Sequence, residues 1–268
     1  MDIDPKRFAL LRAGERIWAI AAIRGDAERL KILHRRLAEL FRPGDRVIYL
    51  GDVLGTGPAI REAVDELLRF RRWVLATPPF THTADVVVLR GSQEEMWRTL
   101  LQIQFAAQPG EVLDWMAGRG VERTVEAYGG RFSDAVIAAR NGPTALSQWT
   151  APLRRAVRAS PGHGEFAAML LRAAITTDKN ILLVNTGLDP SRVLAKQGDR
   201  FWWDPAGLER MTERHPEAAL VVRGSDPRRR GFLHHGTWLN LDGGSGTGGP
   251  LNAICISPVG EILEHLAT

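Results

Sequence analysis

The 268-residue chain has one cysteine, Cys255, so it cannot close an internal disulfide and nothing in it calls for an oxidising compartment. Set in the apolar run LNAICIS, that thiol reads as a buried side chain. Lysine is scarce as well: Lys6, Lys31, Lys179 and Lys196 are the only ones among 35 basic residues. Positive charge is therefore carried by arginine, the better fork for phosphate or carboxylate. No apolar run approaches a membrane span, and the opening MDIDPKRFALLRAGER puts acids and a proline where a secretory signal needs a basic start and an apolar block. The expectation is a cytoplasmic protein with no membrane partner. Linkers, internal repeats and His-x-His or paired-cysteine zinc motifs are also missing.

What remains is the composition of a globular protein: 44% hydrophobic and 25% charged residues, with 27 Gly and 15 Pro. At roughly 150 residues per domain, the length allows one large domain or two small ones. The net charge of +4 is small, and the tightest basic cluster, DPRRRG at 226–231, has no interleaved aromatics for stacking. It reads as a solvated loop, and nucleic acid is not an expected partner.

Short β-branched runs, each closed by a turn signal, predict buried strands at 17–23, 46–50, 86–89, 181–184 and 219–222. Between the first two, Leu30, Leu33, Leu37, Leu40 and Phe41 recur at helical spacing behind the capping residue Asp26. A second helical pattern over 59–70 follows Pro58. The opening β-α-β-α-β alternation predicts parallel strands with helices on the sheet. Residues 92–174 read as a helical insertion, and the runs GFLHH, TWLNLD, LNAICIS and EILEHL as an antiparallel meander. The expected fold class is α/β, two sheets flanked by helices, in a single domain over 1–268 with the insertion at 92–174.

Glycine-bearing turns follow the strands: AAIRGD (21–26), GDVLGTGP (51–58), LRGSQE (89–94), VNTGLDPSR (184–192) and VVRGSD (221–226), with NLDGGSGTGGPLNAI closing the series. In order, spacing and flanks this set resembles the signature blocks of the calcineurin-like metallophosphoesterases, in particular the bacterial phosphoprotein phosphatases. Those blocks are Gly-Asp-x-His-Gly, Gly-Asp-x-x-Asp-Arg-Gly-Pro, Arg-Gly-Asn-His-Glu, Val-His-Ala-Gly, Gly-His-Thr and Asn-Ile-Asp-Thr-Gly-x-x-x-Gly-Gly. The resemblance spans nearly the whole chain and implies a two-sheet sandwich flanked by helices. In the family, two divalent metals activate a water and clamp a phosphate for in-line attack.

The resemblance also implies where that chemistry is lost. The first block's Asp and His fall on Ala22 and Arg24, and the acid and arginine of the second fall on Gly55 and Thr56. The ligand Asn and catalytic His of the third become Ser92 and Gln93, and the last two imidazoles become Asn185 and Ser225. Asp52 alone keeps a ligand's type. Gln has no usable proton at neutral pH, one carboxylate with neutral partners cannot offset the dehydration of two divalent ions, and Arg24 puts a fixed positive charge where the first would sit.

No catalytic residue, no metal and no cofactor is therefore expected. The chain reads as a catalytically inactive phosphatase-like protein, a regulatory module for an unknown protein partner or phosphorylated ligand. The alternative is a phosphoesterase or serine/threonine phosphatase that recruits manganese or another divalent metal through Asp26, Asp52, Asn185 or Asp226.

Arg24, Arg90 and Arg223 are the anion-binding candidates, with internal salt bridging as the competing reading. Arg24 is expected to pair with Asp52, and Asp52 reads either as a residual ligand or as an anchor for backbone N–H groups. His234 and His235, adjacent on a strand and facing opposite sides, read as structural; His163 and His215 lie in turn-like or helix-end contexts, whereas His34, on a helix, and His82, in a loop, are expected at the surface. The Trp202–Trp203 pair reads as packing or as part of a protein contact.

Overall fold

The computed structural model describes residues 4–78 and 82–268. The first half runs β1 (Phe8–Leu11), β2 (Ile17–Ile20), α1 (Ala27–Leu40), β3 (Arg46–Tyr49), α2 (Ile60–Ala76) and β4 (Val86–Val88). Six helices follow: α3 (Ser92–Leu100), α4 (Pro109–Met116), α5 (Val121–Ala127), α6 (Phe132–Arg140), α7 (Pro143–Ala159) and α8 (His163–Met169). The chain then passes through β5 (Ala173–Thr176), β6 (Ile181–Val184), α9 (Arg200–Trp203), α10 (Ala206–Glu209) and β7 (Leu220–Arg223). It closes with β8 (Leu233–His234), β9 (Trp238–Asn240), β10 (Asn252–Ile256) and β11 (Ile262–Ala267).

Two mixed sheets result, one in the order β11-β10-β2-β3-β4 and the other β1-β5-β6-β7-β9-β8. β2, β3 and β4 are parallel, as the opening alternation predicts. They are buried along their whole length because one face meets α1 and α2 and the other meets the second sheet. In the six-stranded sheet, Ile181 and Leu183 of β6 join the core shared by the two sheets. Leu182 and Val184 face a second cluster with Phe201 and Trp202 of α9 and Leu208 of α10. That period of two makes the sandwich: each inward row is covered by the opposite sheet and each outward row by helices.

Asp26 caps α1 by accepting a hydrogen bond from the Arg29 N–H at 3.2 Å. α2 runs to Ala76, past the expected end at 70, because Phe70 and Val74 prolong its buried stripe, and it stops before Pro78.

The expected antiparallel meander is not what forms. β8 and β9 complete the six-stranded sheet, where β9 lies parallel to β7, while β10 and β11 complete the five-stranded one. Each of the four runs is apolar enough for a strand, but pairing is decided by which sheet has an edge to cover. β1 and β5, paired in parallel at the margin of the larger sheet, are strands the periodicity does not predict.

His34 is a second correction. It is buried on the apolar face of α1, stacked on Phe70 at 3.9 Å, its Nδ1–H donating to Glu66 at 2.7 Å and its Nε2 accepting from the Tyr49 hydroxyl at 2.9 Å. Burial lowers its pKa, so it is held neutral between these partners. Cys255 is fully buried in β10, and burial pushes its thiol up to about 11.

Candidate functional site

β2, β3 and β4 of one sheet and β6, β7 and β9 of the other end at one edge of the sandwich, which brings the glycine-bearing turns together. Backbone and side-chain bonds sew them: Ala22 N–H donates to Gly224 C=O at 2.9 Å, Arg24 N–H to Asp52 C=O at 2.7 Å, and Asn185 Nδ2 to Leu50 C=O at 2.8 Å. Two glycines are required by this crowding. A Cβ on Gly91 would lie 2.2 Å from Asp52 Oδ1, and one on Gly224 would lie 2.3 Å from the Leu50 Cβ. Arg24 and Asp52, neither of them glycine, both sit at φ 50°. Left-handed backbone at two side-chain-bearing residues is strain of the kind that concentrates in functional clefts.

The central feature is an ion pair. Arg24 Nη1 and Nη2 reach the two carboxylate oxygens of Asp242 at 2.9 and 2.5 Å, and Nη2 also donates to Ser225 Oγ at 3.2 Å. Asp242, fully buried, accepts in addition the N–H groups of Asp226 at 2.7 Å and Gly244 at 2.9 Å. Burial works against the Arg24 charge, but Asp242, followed by Asp52 and Asp226, more than restores it and holds the guanidinium above its ordinary pKa.

The expected Arg24–Asp52 pair is therefore replaced by Arg24–Asp242. Asp52 Oδ1 instead accepts from Ser92 Oγ at 3.0 Å and Gln93 N–H at 2.9 Å, at the start of α3. Beneath it, Glu94 accepts the N–H groups of Gly91, Asp52 and Leu54 at 2.8 to 2.9 Å. Burial, then the Asp52 charge, push Glu94 up to about 7 against the pull of those donors.

The remaining positions are occupied by neutral groups. Ala22 is buried; Gly55 leaves room for the Gln93 side chain, which would lie 3.1 Å from a Cβ there; Thr56 Oγ1 donates to Gly246 C=O at 3.3 Å. Gln93 Nε2 donates to Arg119 C=O at 2.8 Å, and Asn185 Oδ1 accepts from Thr186 Oγ1 at 2.9 Å. Among the described residues, no three His, Cys, Asp or Glu side chains converge where they could hold a metal. The paired ions of the resembling family do not fit this donor set: the carboxylates nearby are turned to Arg24 or to backbone N–H groups, and a guanidinium lies between them.

The three anion candidates separate. Arg24 is spent on Asp242. Arg223 is completely buried, bonded to Asn240 Oδ1 at 2.8 Å and Pro205 C=O at 3.1 Å, and lies 3.1 Å from Asp226; burial, only partly offset by Asp226, lowers its pKa. It holds strands together and cannot meet a ligand. Arg90 pairs with Glu95 at 3.3 Å and faces a neighbouring pocket among the helices.

The cleft itself, about 400 Å³, is bordered by two arginines outside the anion-binding candidates, Arg119 and, from the DPRRRG cluster, Arg229. Both are exposed, and neither has a carboxylate partner among the described residues. Beside them Trp115 and Trp203 meet edge to face at 5.2 Å, with the Arg119 guanidinium 5.1 Å from the Trp115 ring. Trp202 Nε1 and Gln93 Oε1, on the cleft's lining, are buried without a hydrogen-bond partner. The DPRRRG cluster and the Trp pair were visible signals; Trp115 and Arg119 carried none, since α4 and the turn after it reach the cleft only by folding back. Asp242 stood in a recognised block and had no role attached to it.

No protein-family model and no curated protein sequence matches the chain. Solved structures do. A protein assigned as a diadenosine tetraphosphatase is 17% identical with a TM-score of 0.55, covering 97% of each chain. A serine/threonine phosphatase from Saccharomyces cerevisiae, similar to a human phosphatase, is 14% identical with a TM-score of 0.50 over 93% of this chain and 77% of its own. The cold-active protein-tyrosine phosphatase of a psychrophilic Shewanella is 12% identical with a TM-score of 0.55 over 98% of this chain and 85% of its own. At such identities the likeness establishes the fold alone: two mixed sheets flanked by helices, shared with these phosphatases.

Proposed function

We propose that this chain is a phosphatase-fold module that binds a phosphorylated ligand in its cleft and does not hydrolyse it. The observation that carries the reading is the Arg24–Asp242 pair, a permanent cation and its counter-charge at the centre of the edge where a metal-dependent site would need vacant carboxylates. Turnover needs an activated water and an acid for the leaving group. Gln93 has no proton to give, whereas recognition needs only donors and positive charge. Arg119 and Arg229 provide both at the mouth of the cleft, and the tryptophans beside them provide a surface for the rest of the ligand.

The reading is of a regulatory protein in the cytoplasm. Among the described residues, no helix is long and apolar enough to cross a membrane.

Elemental analysis after equilibration with manganese, run beside hydrolysis of p-nitrophenyl phosphate, tests the first half. Less than a tenth of an equivalent of metal and no turnover above buffer are expected; close to two equivalents of metal with turnover lost in Asp52→Ala would establish the metal-dependent phosphoesterase instead. Titration with phosphoserine tests the second half. Binding is expected to weaken about tenfold in Arg119→Ala and in Arg229→Ala, the effect of removing one charge-assisted contact.

A further inference from the structure

A second, more enclosed pocket of about 230 Å³ neighbours the cleft across α3, where α3, α7 and α8 meet. Its walls are mostly apolar, with Leu54, Trp97, Leu101, Val157, Phe166 and Leu170 among the lining residues. Leu54, Trp97 and Phe166 form a buried floor, and Leu101, Val157 and Leu170 are partly exposed towards the mouth.

Three arginines stand round this apolar space: Arg90, Arg98 and Arg154. Arg90 and Arg98 share one carboxylate, Glu95, at 3.3 and 2.5 Å. Arg154 has none. Its Nη1 donates to Leu101 C=O and Thr150 Oγ1, each at 2.8 Å, and its Nη2 to Ser147 C=O at 3.4 Å, all neutral acceptors that fix the guanidinium without cancelling its charge. The nearby Glu94 carboxylate is turned to backbone N–H groups and away from that charge.

An apolar chamber whose mouth holds a half-buried guanidinium without an ion-pair partner among the described residues, beside two others that share one carboxylate, suits a molecule with a compact apolar body and an anionic head. We propose that this pocket binds a medium-chain monocarboxylate, its hydrocarbon among Trp97, Phe166 and Leu54 and its carboxylate on Arg154. The site is distinct from the cleft and does not depend on what the cleft binds.

Calorimetric titration of the intact protein with the saturated carboxylates from butanoate to octanoate tests it. Affinity is expected to rise about fourfold for each added methylene, the increment for moving one CH₂ out of water. Octylammonium, equal in length and opposite in charge, is expected to bind at least tenfold more weakly than octanoate. Arg154→Gln should weaken octanoate about tenfold. Ala167→Trp, at the exposed rim of the pocket, should abolish binding while leaving every Arg154 bond in place. Absence of octanoate binding, a flat dependence on chain length, equal binding of octylammonium, tighter binding of octyl phosphate than of octanoate, or octanoate affinity unchanged by Ala167→Trp would each overturn the assignment.

Discussion

The two ends of the five-stranded sheet each hold a buried arginine, and the two serve different purposes. At the start of β3, Arg46 Nε donates to Asp85 at 3.1 Å, and its guanidinium also reaches the Arg12 carbonyl. Asp85 keeps a second cation, the exposed Arg12, at 3.1 Å. These groups also bridge the sheets, since Arg12 follows β1 of the six-stranded one, but they do so on backbone of ordinary conformation. At the opposite end, Arg24 joins the turn after β2 to the turn after β9, in the other sheet, and it does so from strained backbone. Among the described residues, three of the four side-chain-bearing positions at positive φ, Arg24, Asp52 and Arg229, thus lie at the edge where the glycine turns meet. The difference teaches that a buried ion pair can be routine closure at one end of a strand and the organising element of a cleft at the other.

The largest expected effect breaks that comparison directly. Arg24→Ala leaves Asp242 buried without its cation, so urea unfolding should show a loss of about 3–5 kcal/mol. Arg46→Ala should cost less, because Asp85 retains Arg12; the reverse order would mean that the cleft pair is not the special one. A double-mutant cycle sharpens the point: coupling between Arg24 and Asp242 should be about 1–3 kcal/mol, and between Arg24 and Asp52 below about 0.5 kcal/mol.

Asp52→Ala should come next, at about 1–2 kcal/mol, because it removes the acceptor for Ser92 Oγ and Gln93 N–H at the start of α3.

A pH comparison sets two buried glutamates against each other. Burial opposes the Glu66 charge, but bonds to His34 and Arg69 prevail and bring it down to about 2. Its stabilising contribution is present above the ordinary carboxylate pKa and is lost as pH falls towards 2. Glu94 is shifted the other way, up to about 7, so its contribution is fully present below the ordinary value and is lost as pH rises through about 7. Melting temperatures measured from pH 5 to 8 should therefore fall less steeply in Glu94→Gln than in the parent, while Glu66→Gln should lose its deficit only in strong acid. An unchanged slope in Glu94→Gln would show that the turn carries no excess proton affinity.

The smallest effects on stability belong to the cleft's rim. Arg119→Ala and Arg229→Ala, both exposed and without carboxylate partners among the described residues, should lie within about 0.5 kcal/mol of the parent while weakening phosphoserine. A rim substitution that unfolds the protein would make these arginines part of the scaffold.

Much of the fold was readable along the chain. The β-α-β-α-β opening follows from Leu30, Leu33 and Leu37 alternating with β-branched runs, since hydrophobic period is a local property of neighbouring residues. The assignment of β8 to β11 to two sheets was not readable, because an apolar strand carries no mark of the edge it will cover. His34 shows the same limit: nothing local says that Glu66 and Tyr49, 32 and 15 residues away, will satisfy both its nitrogens.

In the site, the order and spacing of the glycine turns and the lack of histidine in them are written in the chain, since they depend on residue type alone. Which carboxylate would neutralise Arg24 was settled by folding. Asp242, 218 residues away, and Asp52, in the adjacent turn, offer the same charge. Only the first presents both oxygens to the guanidinium, because Ser92 Oγ and the Gln93 N–H have already claimed the Asp52 oxygen beside them. Partner choice among equal charges depends on distance and direction in space, and sequence separation carries neither.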